Sequence, residues 1–162
     1  MNARVFTGQC QGDGLRVGVV VSRYHTTITE NLLQGCLNTL TDHGVAAAAV
    51  DVAWVPGAWE LPVAAQRLAA TGNYQAVICL GAVIRGETTH DQFINMQVSQ
   101  SLGQIALQHD VPVLFGLLTC QSVEQALDRS GGRTGNKGSE CALAALEMAS
   151  LMSKLPHGTP DL

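Results

Sequence analysis

Residues 85–90, Arg-Gly-Glu-Thr-Thr-His, place a guanidinium, a glycine, a carboxylate, two hydroxyls and an imidazole directly behind an apolar run, AVICLG at 76–81. The hydroxyls of Thr88 and Thr89, with backbone N–H groups freed by glycine near a helix start, make a good anion environment. His90 carries an imidazole, a group that can both take and give protons. A polar turn ending in a buried, satisfied histidine, or in one that merely begins a helix, accounts for the same residues without any chemistry.

Three further segments carry unusual side chains: SRYH at 22–25, VPGAWE at 55–60 and the Phe115–Gly116 pair. The chain has seven aromatic residues, and Tyr24, Trp59 and Phe115 all fall in these segments. A flat heterocycle held between such rings would explain their placement; rings plugging the rim of a sheet would explain it equally. Glu60 follows Gly57 and Ala58 at a helix start, where it either stabilises the helix dipole or binds the hydroxyls of a polyol. Arg129 precedes the glycine-rich stretch GGRTGNKG at 131–138, and Lys137 lies near its end. That stretch lacks the GK[ST] ending of a nucleotide phosphate loop and follows a helix, and the early GDG at 12–14 precedes the first strand, so neither is a nucleotide fingerprint. Both basic residues read as solvated charge or, for the planar fork of Arg129, as a phosphate ligand.

These groups need elements to position them, and apolar periodicity supplies an alternation. Leu15–Ser22 is a short β-branched run that reads as a buried strand. Thr29 is placed to cap a helix with Leu32, Leu33, Cys36, Leu37 and Leu40 on one face, ended by Gly44. Val45–Val55 reads as a second strand, Glu60–Ala70 as a helix that tolerates Pro62 in its first turn, and Ala76–Gly81 as a third strand. A helix over Gln92–His109 with Val98, Leu102, Ile105 and Ala106 inward leads to a fourth strand, Pro112–Leu118. Ser122 and Gln125 predict a capping box for a helix reaching Arg129, and a last helix covers Ser139–Lys154. Strand and helix alternating in this way imply one α/β domain over residues 1–162: a three-layer sandwich around a four-stranded parallel sheet with right-handed crossovers. In open sheets of this kind the ligand crevice lies outside the carboxyl ends of the strands. The tail 155–162, after the last helix, is expected to be flexible.

The chain has 162 residues, a net charge of −4, 46% hydrophobic and 14% charged residues. So apolar a composition with so little charge predicts an apolar surface and self-association. The basic residues are scattered, which argues against nucleic acid as a partner. The N-terminal MNARVFTGQCQGDG has no apolar signal core, and no stretch approaches the roughly 18 consecutive apolar residues of a membrane span, so a cytoplasmic address and no membrane partner are expected. The five cysteines are odd in number and widely spaced, without a CxxC or HxxxH pair; they read as reduced thiols that fill the core, and no metal site is expected.

VPGAWELP, GAVIRGETTH, PVLFGLLT and GNKGSECALAALEM occur in the order and spacing of the 6,7-dimethyl-8-ribityllumazine synthase family, and the chain resembles that family from about Leu15 to Lys154. The resemblance implies a flavodoxin-like lumazine synthase fold and the penultimate step of riboflavin biosynthesis. There, 5-amino-6-(D-ribitylamino)uracil condenses with 3,4-dihydroxy-2-butanone 4-phosphate, with loss of phosphate and water and without cofactor or metal. It implies that Tyr24 stacks on the pyrimidine, that Ala58, Trp59 and Glu60 hold the ribityl side, and that Ala82, Val83 and Ile84 continue the uracil pocket through backbone contacts. Glu87 and Thr88 match the butanone-phosphate site and His90 the general acid/base. Phe115 and Arg129 would reach in from a neighbouring subunit, Arg129 on the phosphate with Lys137 close behind.

Some positions depart from the family pattern. Tyr24 stands where Phe or Trp is commoner, Trp59 where Phe is frequent, and Arg133 where lysine is frequent. Glu87 puts an acid beside a phosphate, so its backbone N–H rather than its carboxylate would serve the ligand. The resemblance also implies a homopentamer whose sites are shared between adjacent subunits, with the N-terminal segment 1–14 pairing with a neighbour. The uninterrupted 131–138 loop leans towards a sixty-subunit icosahedral shell, and riboflavin synthase is a candidate partner. Rival readings are a flavodoxin-like electron carrier holding FMN and a shell or storage protein that binds a lumazine without turnover.

Overall fold

Val17–Ser22 is β-branched almost throughout and every one of its residues is buried, so it forms the inner strand β1. The computed structural model describes residues 2–158; residues 159–162 of the expected flexible tail lie outside the described residues. After β1 the chain forms α1 (Thr26–Asp42), β2 (Val50–Val55), α2 (Leu61–Ala69), β3 (Ala76–Ile84), α3 (His90–His109) and β4 (Val113–Cys120). It closes with α4 (Val123–Arg129), a small hairpin of β5 (Ser130–Gly132) and β6 (Gly135–Asn136), and α5 (Lys137–Lys154).

The four long strands make one parallel sheet in the order β2-β1-β3-β4. Val17 pairs with Val50 on one side and Ala76 on the other, and Ile84 pairs with Cys120 at the far end of β3. Two apolar layers cover it. Ile28, Leu32, Cys36 and Leu40 of α1 join Ala126 of α4 and Cys141, Ala145 and Leu146 of α5 on one face. Leu61 and Ala65 of α2 join Val98, Leu102 and Ile105 of α3 on the other. The expected flavodoxin-like three-layer architecture is the one present. The first crossover leaves β1 towards β2 and the second returns past it to β3, so strand order reverses between β1 and β3. Such a switch point opens a crevice at the carboxyl ends of the two strands.

Several expected boundaries move. The first helix begins at Thr26, not at a cap on Thr29: His25 takes a left-handed backbone (φ 63°, ψ 51°), and its carbonyl accepts the amides of Ile28 and Thr29 at 3.0 and 3.1 Å. Thr29 is fully buried inside the helix, where its hydroxyl donates to the Thr26 carbonyl. The second strand starts at Val50, because Ala47–Ala49 form a single 3₁₀ turn; a run of alanines lacks the β-branching that would hold it in a sheet. β3 runs on through Ala82, Val83 and Ile84. Ser122 does cap α4, accepting the amide of Gln125 at 3.2 Å, but the Gln125 side chain accepts from Gln121 rather than completing a box on Ser122. The glycine-rich stretch is the β5–β6 hairpin, and α5 starts two residues early under an Asn136 cap.

The N-terminal segment lies along its own chain. Lys154 donates to the Thr7 carbonyl at 2.8 Å, and the Gly12 amide donates to the His43 carbonyl at 2.8 Å. A Cβ on Gly8 would overlap the Glu147 carbonyl, so only glycine permits this approach to α5. Val5 and the residues alternating with it face outward. The five cysteines are free thiols; Cys36, Cys79, Cys120 and Cys141 are buried and Cys10 is half-buried. Among the described residues no helix is long and apolar enough to cross a membrane.

Candidate functional site

Three loops meet at the β1/β3 switch point. The loop after β1 is tied to the loop after β2, since Arg23 donates its amide to the Val55 carbonyl at 2.8 Å and Tyr24 its own to Pro56 at 3.1 Å. The loop after β2 turns through Gly57 into a short 3₁₀ helix, Ala58–Glu60. Glu60 Oε2 accepts the Gly57 amide at 2.9 Å while the Glu60 amide donates to the Gly57 carbonyl. The local, helix-starting role of Glu60 is therefore realised, and its second carboxylate oxygen has no partner among the described residues. The loop after β3 leaves the sheet with the Arg85 amide on the Cys120 carbonyl at 2.9 Å and reaches α3 with Thr88 Oγ1 3.4 Å from the His90 amide.

Between these loops lies a cavity of about 350 Å³, at the lower end of the range that holds small molecules. Tyr24, Ala58 and Trp59 form one side, Ala82, Val83 and Ile84 the floor, and Thr88 and His90 the far side. Eight of the residues singled out from the sequence thus share one concavity. The exposed imidazole of His90 is the first side chain of α3, so the histidine is neither buried nor satisfied within the core. Trp59 and Tyr24 are 56% and 70% exposed, which leaves large aromatic surfaces for a flat ligand to cover. His25, Gly57, Gly86, Asp91 and Ile94 also line the cavity. None was singled out by sequence; His25 sits in the quoted SRYH stretch, Asp91 follows His90 directly and Ile94 lies one helical turn further on.

The remaining expected residues lie elsewhere on the chain. Glu87 is exposed in the loop between β3 and α3 but does not line the cavity. Phe115 belongs to the amino-terminal half of β4, opposite Cys79, and not to the carboxyl rim where the sequence reading put it. Its position follows from the register, which carries β4 on to Cys120. Arg129 and Lys137 line a separate concavity of about 500 Å³ between β4, α4 and the hairpin, with Thr119, Gln125 and Thr134. There Lys137 pairs with Glu140 at 3.1 Å, and burial pushes the Cys120 thiol up against the smaller opposing pull of the Arg129 charge. Arg133 binds Asp128 through Nη2 at 2.9 Å and Nε at 3.2 Å, fastening the hairpin turn to α4 and holding the Asp128 carboxyl below its ordinary range.

Among the described residues no group of three or more His, Cys, Asp or Glu side chains is arranged to hold a metal ion. One chain alone offers an aromatic, imidazole-bearing cavity and, apart from it, a basic concavity. The family model described as 6,7-dimethyl-8-ribityllumazine synthase matches residues 14–153, and the chain belongs to that family, whose members are transferases of riboflavin biosynthesis.

Proposed function

We propose that this family member condenses 5-amino-6-(D-ribitylamino)uracil with 3,4-dihydroxy-2-butanone 4-phosphate to give 6,7-dimethyl-8-ribityllumazine, phosphate and water. The observation that carries this reading is the single cavity that unites Tyr24, Trp59 and His90 at the β1/β3 switch point. The pyrimidine lies against Tyr24, along the backbone of Ala82, Val83 and Ile84. The ribityl chain passes Ala58 and Trp59 towards the spare oxygen of Glu60. The phosphate sits by Thr88 and the Glu87 backbone.

The aromatic amine attacks the ketone carbonyl, and the carbinolamine loses water to an imine. Loss of the C3 proton then expels phosphate from C4, the resulting enol tautomerises to a ketone at C3, and the ribitylamino nitrogen attacks that carbonyl and closes the second ring with loss of a second water. Every step moves a proton, and the imidazole of His90, which lines the cavity beside Thr88, is the group assigned to carry it. Holding the two reactants together supplies about 7–11 kcal/mol of barrier lowering, so positioning outweighs acid–base chemistry.

A phosphate favours lysine or arginine partners, and among the described residues none of either lines the cavity. Arg129, followed by Lys137, belongs to the concavity beside α4, which fits a site completed by an adjacent subunit, with Phe115 delivered the same way. Phe93, Met96 and Leu107 on α3 are 69%, 68% and 88% exposed, as expected of a surface covered in an assembly. A cyclic homopentamer, with or without closure into an icosahedral shell, and a cytoplasmic address complete the reading; riboflavin synthase is a further candidate partner.

Incubating the purified chain with both substrates and following the fluorescence of the lumazine tests it directly. Product formation at a rate above the uncatalysed mixture is the expected result. Binding of the lumazine without turnover would make the chain a storage protein, and a stoichiometric, reversibly reducible yellow chromophore would make it an electron carrier.

A further inference from the structure

His25 combines three properties that its position does not require. Its backbone is left-handed, which among the described non-glycine residues only Asp110 shares. It is the cap residue of α1, yet its side chain makes no capping hydrogen bond; its carbonyl alone starts the helix. The turn is held independently by the Thr26 hydroxyl, which donates to the Arg23 carbonyl at 2.6 Å. Asparagine or glycine would adopt this conformation more readily, and asparagine would also cap the helix. What the imidazole adds is a contact: its ring meets the Tyr24 ring at 4.6 Å between centroids and 71° between planes.

This edge-on pair is the one aromatic pair among the described residues, and both members line the cavity. Tyr24 is otherwise 70% exposed, so few other contacts select its rotamer. An edge-to-face arrangement leaves at least one face of the tyrosine free. We propose that His25 is a positioning residue: its imidazole holds the Tyr24 ring with an open face to the cavity, presetting the platform for the flat heterocyclic substrate. The inference rests on the heterocycle-binding reading above, and it gives His25 no part in proton transfer. Fixing the ring beforehand removes rotamer entropy that binding would otherwise have to quench.

The test uses His25→Asn, which suits the left-handed turn, in the full-length protein. The lumazine product is titrated into wild type and variant while quenching of intrinsic fluorescence is followed, and kcat and both KM values are measured. His25→Asn is expected to weaken lumazine binding and raise KM for the pyrimidine about three- to tenfold, the range an edge-to-face contact supports. KM for the phosphorylated ketone, kcat and Tm should stay near wild type. In a Tyr24→Ala background the same substitution should have no further effect, because the histidine acts through the tyrosine. Unchanged lumazine affinity in His25→Asn, or equal losses with and without Tyr24, overturns the inference while leaving the function standing. A wild type that neither binds the lumazine nor turns over sinks both.

Discussion

Glu60 and Gly57 exchange hydrogen bonds across a single turn: Oε2 of the acid takes the glycine amide at 2.9 Å, and the glycine carbonyl takes the amide of the acid at 3.3 Å. The carboxylate thus shapes the loop with one oxygen and keeps the other for a ligand. Glu60→Gln retains an acceptor for Gly57, so its Tm should stay near wild type. KM for the ribityl substrate should rise several-fold, since a charge-assisted bond is roughly twice as strong as a neutral one. Glu60→Ala should lose about 1 kcal/mol in urea unfolding as well. Equal KM in wild type and Glu60→Gln would remove the carboxylate from substrate binding.

His90→Ala should lower kcat by about 10²-fold, the lower end of what a positioned acid–base group contributes, and leave both KM values within a few-fold. Turnover should persist because the reactants are still held together. A variant as fast as wild type would take proton transfer away from this side chain.

Arg129→Ala should raise KM for the phosphorylated ketone far more than for the pyrimidine. If adjacent subunits share the site, unfolding and co-refolding His90→Ala with Arg129→Ala chains should restore activity, because random mixing leaves about one interface in four with both residues intact. No recovery in the mixture, or full activity in a monomeric species by light scattering, would place the whole site in one chain.

A Cβ on Gly138 would overlap the Leu32 carbonyl where α5 meets α1. Gly138→Ala should destabilise the fold by about 1–3 kcal/mol in urea unfolding, despite the higher helix propensity of alanine. Stabilisation would mean that the two helices can separate there without cost.

At the amino edge of the sheet, Asp51 accepts from Tyr74 Oη at 2.8 Å and from Arg16 Nη2 at 2.7 Å. The Tyr74 hydroxyl first, and then the Arg16 guanidinium, hold the Asp51 carboxyl below its ordinary value. Since the folded value lies below the unfolded one, this contribution is present above about pH 4 and fades as pH falls through the folded value. The Tm difference between wild type and Asp51→Asn should therefore be largest near neutrality and close in acid. A difference that grew on acidification would contradict the assignment.

The sheet and its helices were legible because buried parallel strands and amphipathic helices leave strong periodic signals, as Val17–Val21 and Leu102–Ile105 do. Errors gathered where a local rule met a backbone exception. Thr29 has the chemistry of a cap, but the left-handed His25 starts the helix a turn earlier, and no composition signal announces such a conformation in a non-glycine residue. Ala46–Ala49 were apolar enough to extend a strand and too unbranched to stay in one. Within the site, Tyr24, Trp59 and His90 could be gathered because strand ends in a parallel sheet converge. Phe115 could not be placed without the register that puts it opposite Cys79. His25 and Asp91 escaped notice because only folding shows which loop residues turn inward.

Tyr24, His25, Trp59 and His90 belong to neither of the two apolar layers that pack against the sheet. The cavity floor, by contrast, shares Ala82 and Val83 with those layers, so foldedness and ligand choice separate at the rim and not beneath it. Randomised libraries at Tyr24, Trp59 and His90 should yield mostly well-folded variants, so the scaffold can be retooled for other planar molecules without first being made sturdier.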